Sequence, residues 1–255
     1  TWIALVRTLA LRGKRDEAAA LIDEAIAKVP SVAASYLSAR CREALGDLAQ
    51  AEAIFLAGVK DQAGEFNLAM QAIDFFERTD QFAKALPVLR HLLSAEASTP
   101  REFLPRLRRQ MALALAEDPG GREEAIAVLN RNGKPGAEDP VNQRARAMVL
   151  GMDPKKHDEA AKLFSDASKR TPPDDDELYR LARIHERGGH TAEATEILEK
   201  LVLYQPENPR YLARLALLLA GQGRETEGRD YLTRLERLEP ASARTAQVRA
   251  ALKSA

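Results

Sequence analysis

The feature that most restricts what this chain can fold into is an internal repeat near its C-terminal end. Residues 175–208, moved forward by 34 positions, fall on residues 209–242 with their skeleton intact. Leu181, Ala182, Gly189, Leu198, Leu201 and Pro206 land on Leu215, Ala216, Gly223, Leu232, Leu235 and Pro240. Arg180 lands on Arg214, and Lys200 on Arg234. A period of this length marks a solenoid, whose units are too small to bury their own apolar faces and must stack on neighbours. One small and one bulky residue per unit carry the repeat backwards. The small residues are Ala18, Ala51, Ala85, Ala125, Ala160, Ala194 and Gly228; four positions on stand Ile22, Phe55, Leu89, Leu129, Phe164, Leu198 and Leu232. Spacings between the small residues are 33, 34, 40, 35, 34 and 34, so seven units fit.

Each unit reads as two antiparallel helices. The first, such as Leu178–Arg187, carries apolar residues at helical spacing and stops at a glycine or polar turn: Gly13, Gly46, Asp80, Gly120–Gly121, Gly188–Gly189 or Gly223. The second begins at once, its small residue admitting close approach to the first, and in several units ends before a proline (Pro30, Pro172, Pro206, Pro240). The expected architecture is all-α, one superhelical domain over 1–255. Its units are 1–32, 33–65, 66–99, 100–139, 140–174, 175–208 and 209–242, and a capping helix over 243–255 covers the last apolar face. The middle departs from the rule. Thr99-Pro100-Arg101-Glu102 has the form of a capping box, which predicts an early helix start, with Pro105 inside the helix and kinking it. Asn130–Pro140 reads as the loosest stretch, either a hinge or a plain longer loop.

Composition narrows the function classes. Hydrophobic residues make up 45% of the chain, enough for a continuous inter-repeat core, and charged residues 30%, as solvated outer faces require. The 38 basic and 38 acidic residues cancel, leaving no global field to gather nucleic acid or an anionic membrane. Cys41 stands alone, which precludes an intramolecular disulfide and leaves it to pack as a small apolar side chain. No apolar run is long enough to cross a bilayer. The chain starts at Thr1, inside an expected helix and without a methionine, so it reads as a fragment lacking its native N-terminus. Ala-, Leu- and Arg-rich usage points to a bacterial source, with cytoplasm and periplasm both open.

These residues resemble the tetratricopeptide repeat family. Its pattern is an aromatic, Leu-Gly or Leu-Ala, a Gly-containing turn, then Ala, a large apolar residue, Ala and Pro. Trp2, Leu5, Leu9, Gly13, Ala18, Ile22, Ala25 and Pro30 follow it, as do Leu178, Leu181-Ala182, Gly189, Ala194, Leu198 and Pro206. The resemblance runs through the whole chain, with units four and five departing in turn and spacing. It implies a right-handed superhelix whose first helices line a concave groove, and a non-catalytic surface that binds peptides, helices or proteins. The RNA-reading pentatricopeptide repeat is the nearest rival; the closing prolines, the 34-residue period and the neutral charge favour the protein-binding family.

If first helices line the groove, one row of positions reads Ala4, Leu37, Gln71, Met111, Arg146, Arg180 and Arg214. A second reads Arg7, Arg40, Asp74, Ala114, Val149, Arg183 and Leu217. Stacking would align the arginines of the C-terminal half. Guanidinium groups with a nearby tyrosine suit carboxylates, since the planar fork donates two hydrogen bonds at once. The candidate concave-face residues are therefore Arg146, Tyr179, Arg180, Arg183 and Arg214, with Arg7, Tyr36 and Arg40 in the N-terminal units. The expected partner is a protein or peptide with an acidic or carboxylate-terminated segment. The alternative is that these arginines pair with Glu177, Glu186 or Asp176. The Lys/Asn dicarboxylate clamp of chaperone-binding family members is absent: the inner positions hold Ile3, Arg7, Leu37 and Arg40.

Other chemistry is thin. His91, His157, His185 and His190 lack metal-ligand spacing. Asp174-Asp175-Asp176-Glu177 follows Pro172-Pro173 and reads as a helix start, where carboxylates meet the helix dipole. No nucleophile elbow, phosphate loop or dinucleotide fingerprint occurs, so no catalytic residue, cofactor or metal is expected. The leading function is a scaffold for a partner protein. The alternatives are a recognition arm of a larger enzyme or regulator, and an RNA-binding repeat.

Overall fold

The computed structural model of the chain describes residues 1–61, 66–94, 96–97, 99–240 and 242–254. The expected unit boundary at Glu65 and the last residue of the cap, Ala255, lie outside them. Among the described residues all regular structure is helical. First helices are α1 (Trp2–Leu11), α3 (Ser31–Leu45), α5 (Phe66–Arg78), α7 (Leu104–Leu115), α9 (Pro140–Gly151), α11 (Asp175–Arg187) and α13 (Pro209–Gly221). Second helices are α2 (Arg15–Ala27), α4 (Leu48–Asp61), α6 (Leu86–Ser94), α8 (Arg122–Asn130), α10 (His157–Arg170), α12 (Thr191–Tyr204) and α14 (Glu225–Leu238). A final helix, α15 (Ala243–Ser254), closes the series.

Each first helix packs on the second helix of its own pair, and the substantial helix-on-helix packing is between neighbours in the series. That pattern is an α-solenoid of antiparallel helix pairs. Its core runs along the stack. Val6, Ile22 and Cys41 form one end, the aromatics Phe55, Phe75 and Phe76 with Leu89, Leu129 and Met148 the middle, and Leu198, Leu212, Leu215 and Leu235 the other end.

The frame of small and bulky residues explains the stacking. All seven small positions and all seven bulky ones are buried. At Gly228 an added Cβ would lie 3.2 Å from the Ala216 carbonyl oxygen and 3.0 Å from Leu252, so that crossing tolerates no side chain without adjustment. Val248 and Leu252 of α15 are buried against the last pair, as a terminal cap requires.

Turns between paired helices are left-handed at Gly13, Gly46, Gly189 and Gly223 (φ 75–83°). In the third pair Asp80 takes that place with φ 60°. A side chain in this region costs roughly 1–2 kcal/mol that glycine avoids.

Three expectations for the middle are corrected. Pro105 sits in the first turn of α7, behind a 3₁₀ turn at Arg101–Phe103, so its missing N–H costs no intrahelical bond and there is no interior kink. The Thr99 hydroxyl donates to the Leu92 carbonyl at 2.9 Å, tying the segment back to α6. Asn130–Pro140 is pinned at several points. The Asn132 amide donates to the Pro105 carbonyl (2.9 Å) and to Asn142 Oδ1 (3.0 Å), and buried Glu138 accepts from Asn142 (2.7 Å) and twice from Arg146 (2.8 and 2.6 Å). A loop anchored by a buried ion pair is a strut.

Candidate functional site

The capping box at the start of α11 sets the site. The Asp174 side chain accepts from the Glu177 N–H (2.8 Å) and Glu177 accepts from the Asp174 N–H (3.1 Å), fixing where the helix begins. That register puts Tyr179, Arg180 and Arg183 on a face that meets the turn after α5, about a hundred residues earlier in the chain. The Tyr179 hydroxyl, on a fully buried ring, donates to Asp80 Oδ2 at 2.8 Å. Arg210, at the start of α13, donates from Nε to Asp80 Oδ1 (3.0 Å) and from Nη1 to Asp176 (2.8 Å), with its guanidinium 3.9 Å from the centre of the Tyr179 ring. Arg180 donates to Glu77 at 2.5 Å. Phe82, itself buried, lies under three guanidinium groups, Arg180 at 4.1 Å, Arg183 at 4.7 Å and Arg210 at 5.8 Å. Arg244 of α15 donates to the Arg78 carbonyl at 3.0 Å. Glu117, in the turn after α7, takes Arg183 (3.6 Å) and Arg187.

Protonation follows from this packing. Burial, with the Asp80 carboxylate second, pushes the Tyr179 phenol above its ordinary value, so it remains a hydrogen-bond donor. Burial alone would disfavour the charged Arg210 guanidinium, but the Asp80 and Asp176 carboxylates outweigh it and hold the group more firmly protonated than usual. Burial lowers Arg183 with Glu117 opposing.

The sequence-predicted residues part into three groups. Tyr179, Arg180 and Arg183 come together at the third pair's turn. Arg214 pairs with Glu186 of α11 at 2.7 Å, and Arg146 is buried against Glu138 of the loop before α9, so these two are held elsewhere. Arg7 and Arg40 line a separate cleft, and Tyr36 packs half-buried against the middle core. Of the partners named as alternatives, Glu186, Asp176 and Glu177 do receive arginines; those of Asp176 and Glu177 are Arg210 and Arg144.

That cleft, of about 1240 Å³, lies where the first two pairs face the turns of the last two. Its N-terminal wall carries Arg7, Arg15, Arg40 and Arg78 against a single carboxylate, Glu43, which accepts from both Arg40 and Arg78. The opposite wall carries Asp174, Asp175, Asp176, Glu207 and Glu239 against Arg210 and Arg244. Ile3, Leu11, Leu45, Pro206, Tyr211 and Leu238 supply apolar surface between them.

Three histidines also converge. His157 stacks on His190, centroids 3.8 Å apart and planes 6° from parallel, with His185 edge-on at 5.0 Å from His157. Parallel rings place their nitrogen lone pairs in separate planes, and no group of three or more His, Cys, Asp or Glu among the described residues could hold a metal ion.

Two family models described as the tetratricopeptide repeat match the sequence, one over residues 3–66 and one over 152–218, together just over half of the chain. The chain belongs to the tetratricopeptide repeat family. No curated protein matches its sequence. Among solved structures it is similar to a chain of the APC/C hetero-tetramer Cut9-Hcn1, at 11% identity and a TM-score of 0.48, over 98% of this chain and 48% of that one. It therefore spans about half the length of that relative. Tetratricopeptide repeats support a protein-interaction scaffold. In this one the first helices α11 and α13 bear most of an arginine wall that the chain's own third turn already occupies. Sequence reading missed Arg210, Arg244, Glu77 and the role of Phe82. The available signal was Asp80, an aspartate at a turn position where four other repeats have glycine.

Proposed function

We propose that the chain is a non-catalytic scaffold that receives a segment of a partner protein on the inner side of its superhelix, and that the cleft between its two ends is the seat. The observation that carries this reading is the cleft itself. Its volume of about 1240 Å³ exceeds the ~300–1,000 Å³ typical of small-molecule pockets, and its walls are of opposite charge with apolar surface between. Arg7 and Arg15 have no carboxylate partner among the described residues and line the same wall as Arg40, so an acidic or carboxylate-terminated segment fits that side. Arginine forks bind such groups through paired, charge-assisted hydrogen bonds. Titration of peptides ending in acidic residues and a free carboxylate into wild type and Arg7→Ala/Arg40→Ala tests it. At least tenfold weaker binding by the double variant is expected; equal affinity would remove the cleft from the reading.

A further inference from the structure

Between residues 77 and 82 the chain presents four groups to the C-terminal arginine wall, and each has a matched receiver. Glu77 accepts from Arg180, the Arg78 carbonyl from Arg244, Asp80 from Tyr179 and Arg210, and Phe82 lies beneath the Arg180 and Arg183 guanidiniums. These contacts join residues 98 to 166 positions apart, whereas the substantial helix packing joins neighbours only. The third pair is thus held to the sixth and seventh by side chains, and Glu77, Asp80 and Arg180 keep some exposure to solvent. The turn also keeps an aspartate at φ 60° where four other turns have glycine, so its backbone carries strain that glycine would relieve.

We propose that residues 77–82 are an internal occupant of a peptide-binding surface. A partner segment with the same order of groups (Glu-x-x-Asp-x-aromatic) competes for Tyr179, Arg180 and Arg210 and unlatches the superhelix when it binds. The idea shares with the proposed function the premise that the ligand is a protein segment, but it turns on different residues. Arg7 and Arg40 decide the cleft; Asp80 and Arg180 decide the latch.

The test uses the full chain and a fluorescein-labelled peptide of its residues 76–84. Asp80→Gly removes the latch carboxylate while relieving the left-handed backbone, so the turn keeps its shape. Fluorescence anisotropy is expected to show Asp80→Gly binding the peptide at least tenfold more tightly than wild type. The gain should vanish in Asp80→Gly/Arg180→Ala, and for a peptide with asparagine at the Asp80 position. Equal binding by wild type and Asp80→Gly overturns the proposal, whatever the cleft peptides do. Loss of the folded state in Asp80→Gly, read by circular dichroism, also overturns it, because the carboxylate would then be an obligatory part of the core.

Discussion

Arg146 and Arg214 hold equivalent positions two repeats apart, and their surroundings set them apart energetically. Arg146 and Glu138 are both nearly inaccessible, at 7% and 1% side-chain exposure, whereas Arg214 and Glu186 are each 25% exposed. Removing one partner of a buried pair strands the other charge, typically at a cost of ~3–5 kcal/mol. A partly exposed pair is worth about 0–1 kcal/mol. Urea denaturation should therefore show Glu138→Ala losing several times more stability than Glu186→Ala; equal losses would mean that the strut over residues 130–140 is open in solution. Ala194 gives a steric counterpart. It is fully buried at a helix crossing, and Ala194→Leu should cost about 1–3 kcal/mol by overpacking, read from the same curves. Ala194 and its counterparts were legible from sequence because period and size alone mark them. The partners of Arg146 were not, since Glu138 lies in a loop outside the repeat.

At the level of elements, helix pairs were readable because a 34-residue period repeats both the apolar face and the turn residue. The fourth pair was harder to read. Pro105 and Thr99 carry strong local signals, but a 3₁₀ turn at Arg101–Phe103 shifts the start of α7 so that the proline falls in its first turn. The junction of the fifth and sixth pairs adds a pH dependence that no motif announced. His157 begins α10, His185 lies in the last turn of α11 and His190 precedes α12, and the fold brings the three rings together. Burial first, and neighbouring histidines second, lower His157 and His185 below the ordinary value near 6.5; Asp158 and Glu193 oppose this for His157, and Glu193 for His185. Both therefore fold as neutral rings more readily than as cations. Their contribution to stability is whole above about pH 7 and declines as pH falls through 6.5 toward the lower folded values. The slope is at most about 1.4 kcal/mol per pH unit for each ring. Thermal denaturation of His157→Gln should be flatter than wild type between pH 7 and 5; parallel profiles would exclude this junction as the source.

On the scale of the whole molecule, the repeat predicts aligned rails of like residues but leaves their occupant undetermined. Curvature accumulates from a small rotation at each stacking step, and no local pattern records the sum. Where the third turn arrives relative to α11, α13 and α15 is therefore invisible in sequence, although every residue in the contact can be read. The arginine wall has the chemistry to take acidic groups, and Glu77, Asp80 and Glu117 from distant parts of the same chain pair with it. The closure of the superhelix on itself is most directly tested by a double-mutant cycle between Asp80 and Arg210, 130 residues apart. Single and double alanine variants, followed by chemical denaturation, should give a coupling energy of ~1–3 kcal/mol, as groups in one hydrogen-bonded network do. Additivity within ~0.5 kcal/mol, the behaviour of distant independent sites, would show that the third pair's turn does not meet the C-terminal arginine wall.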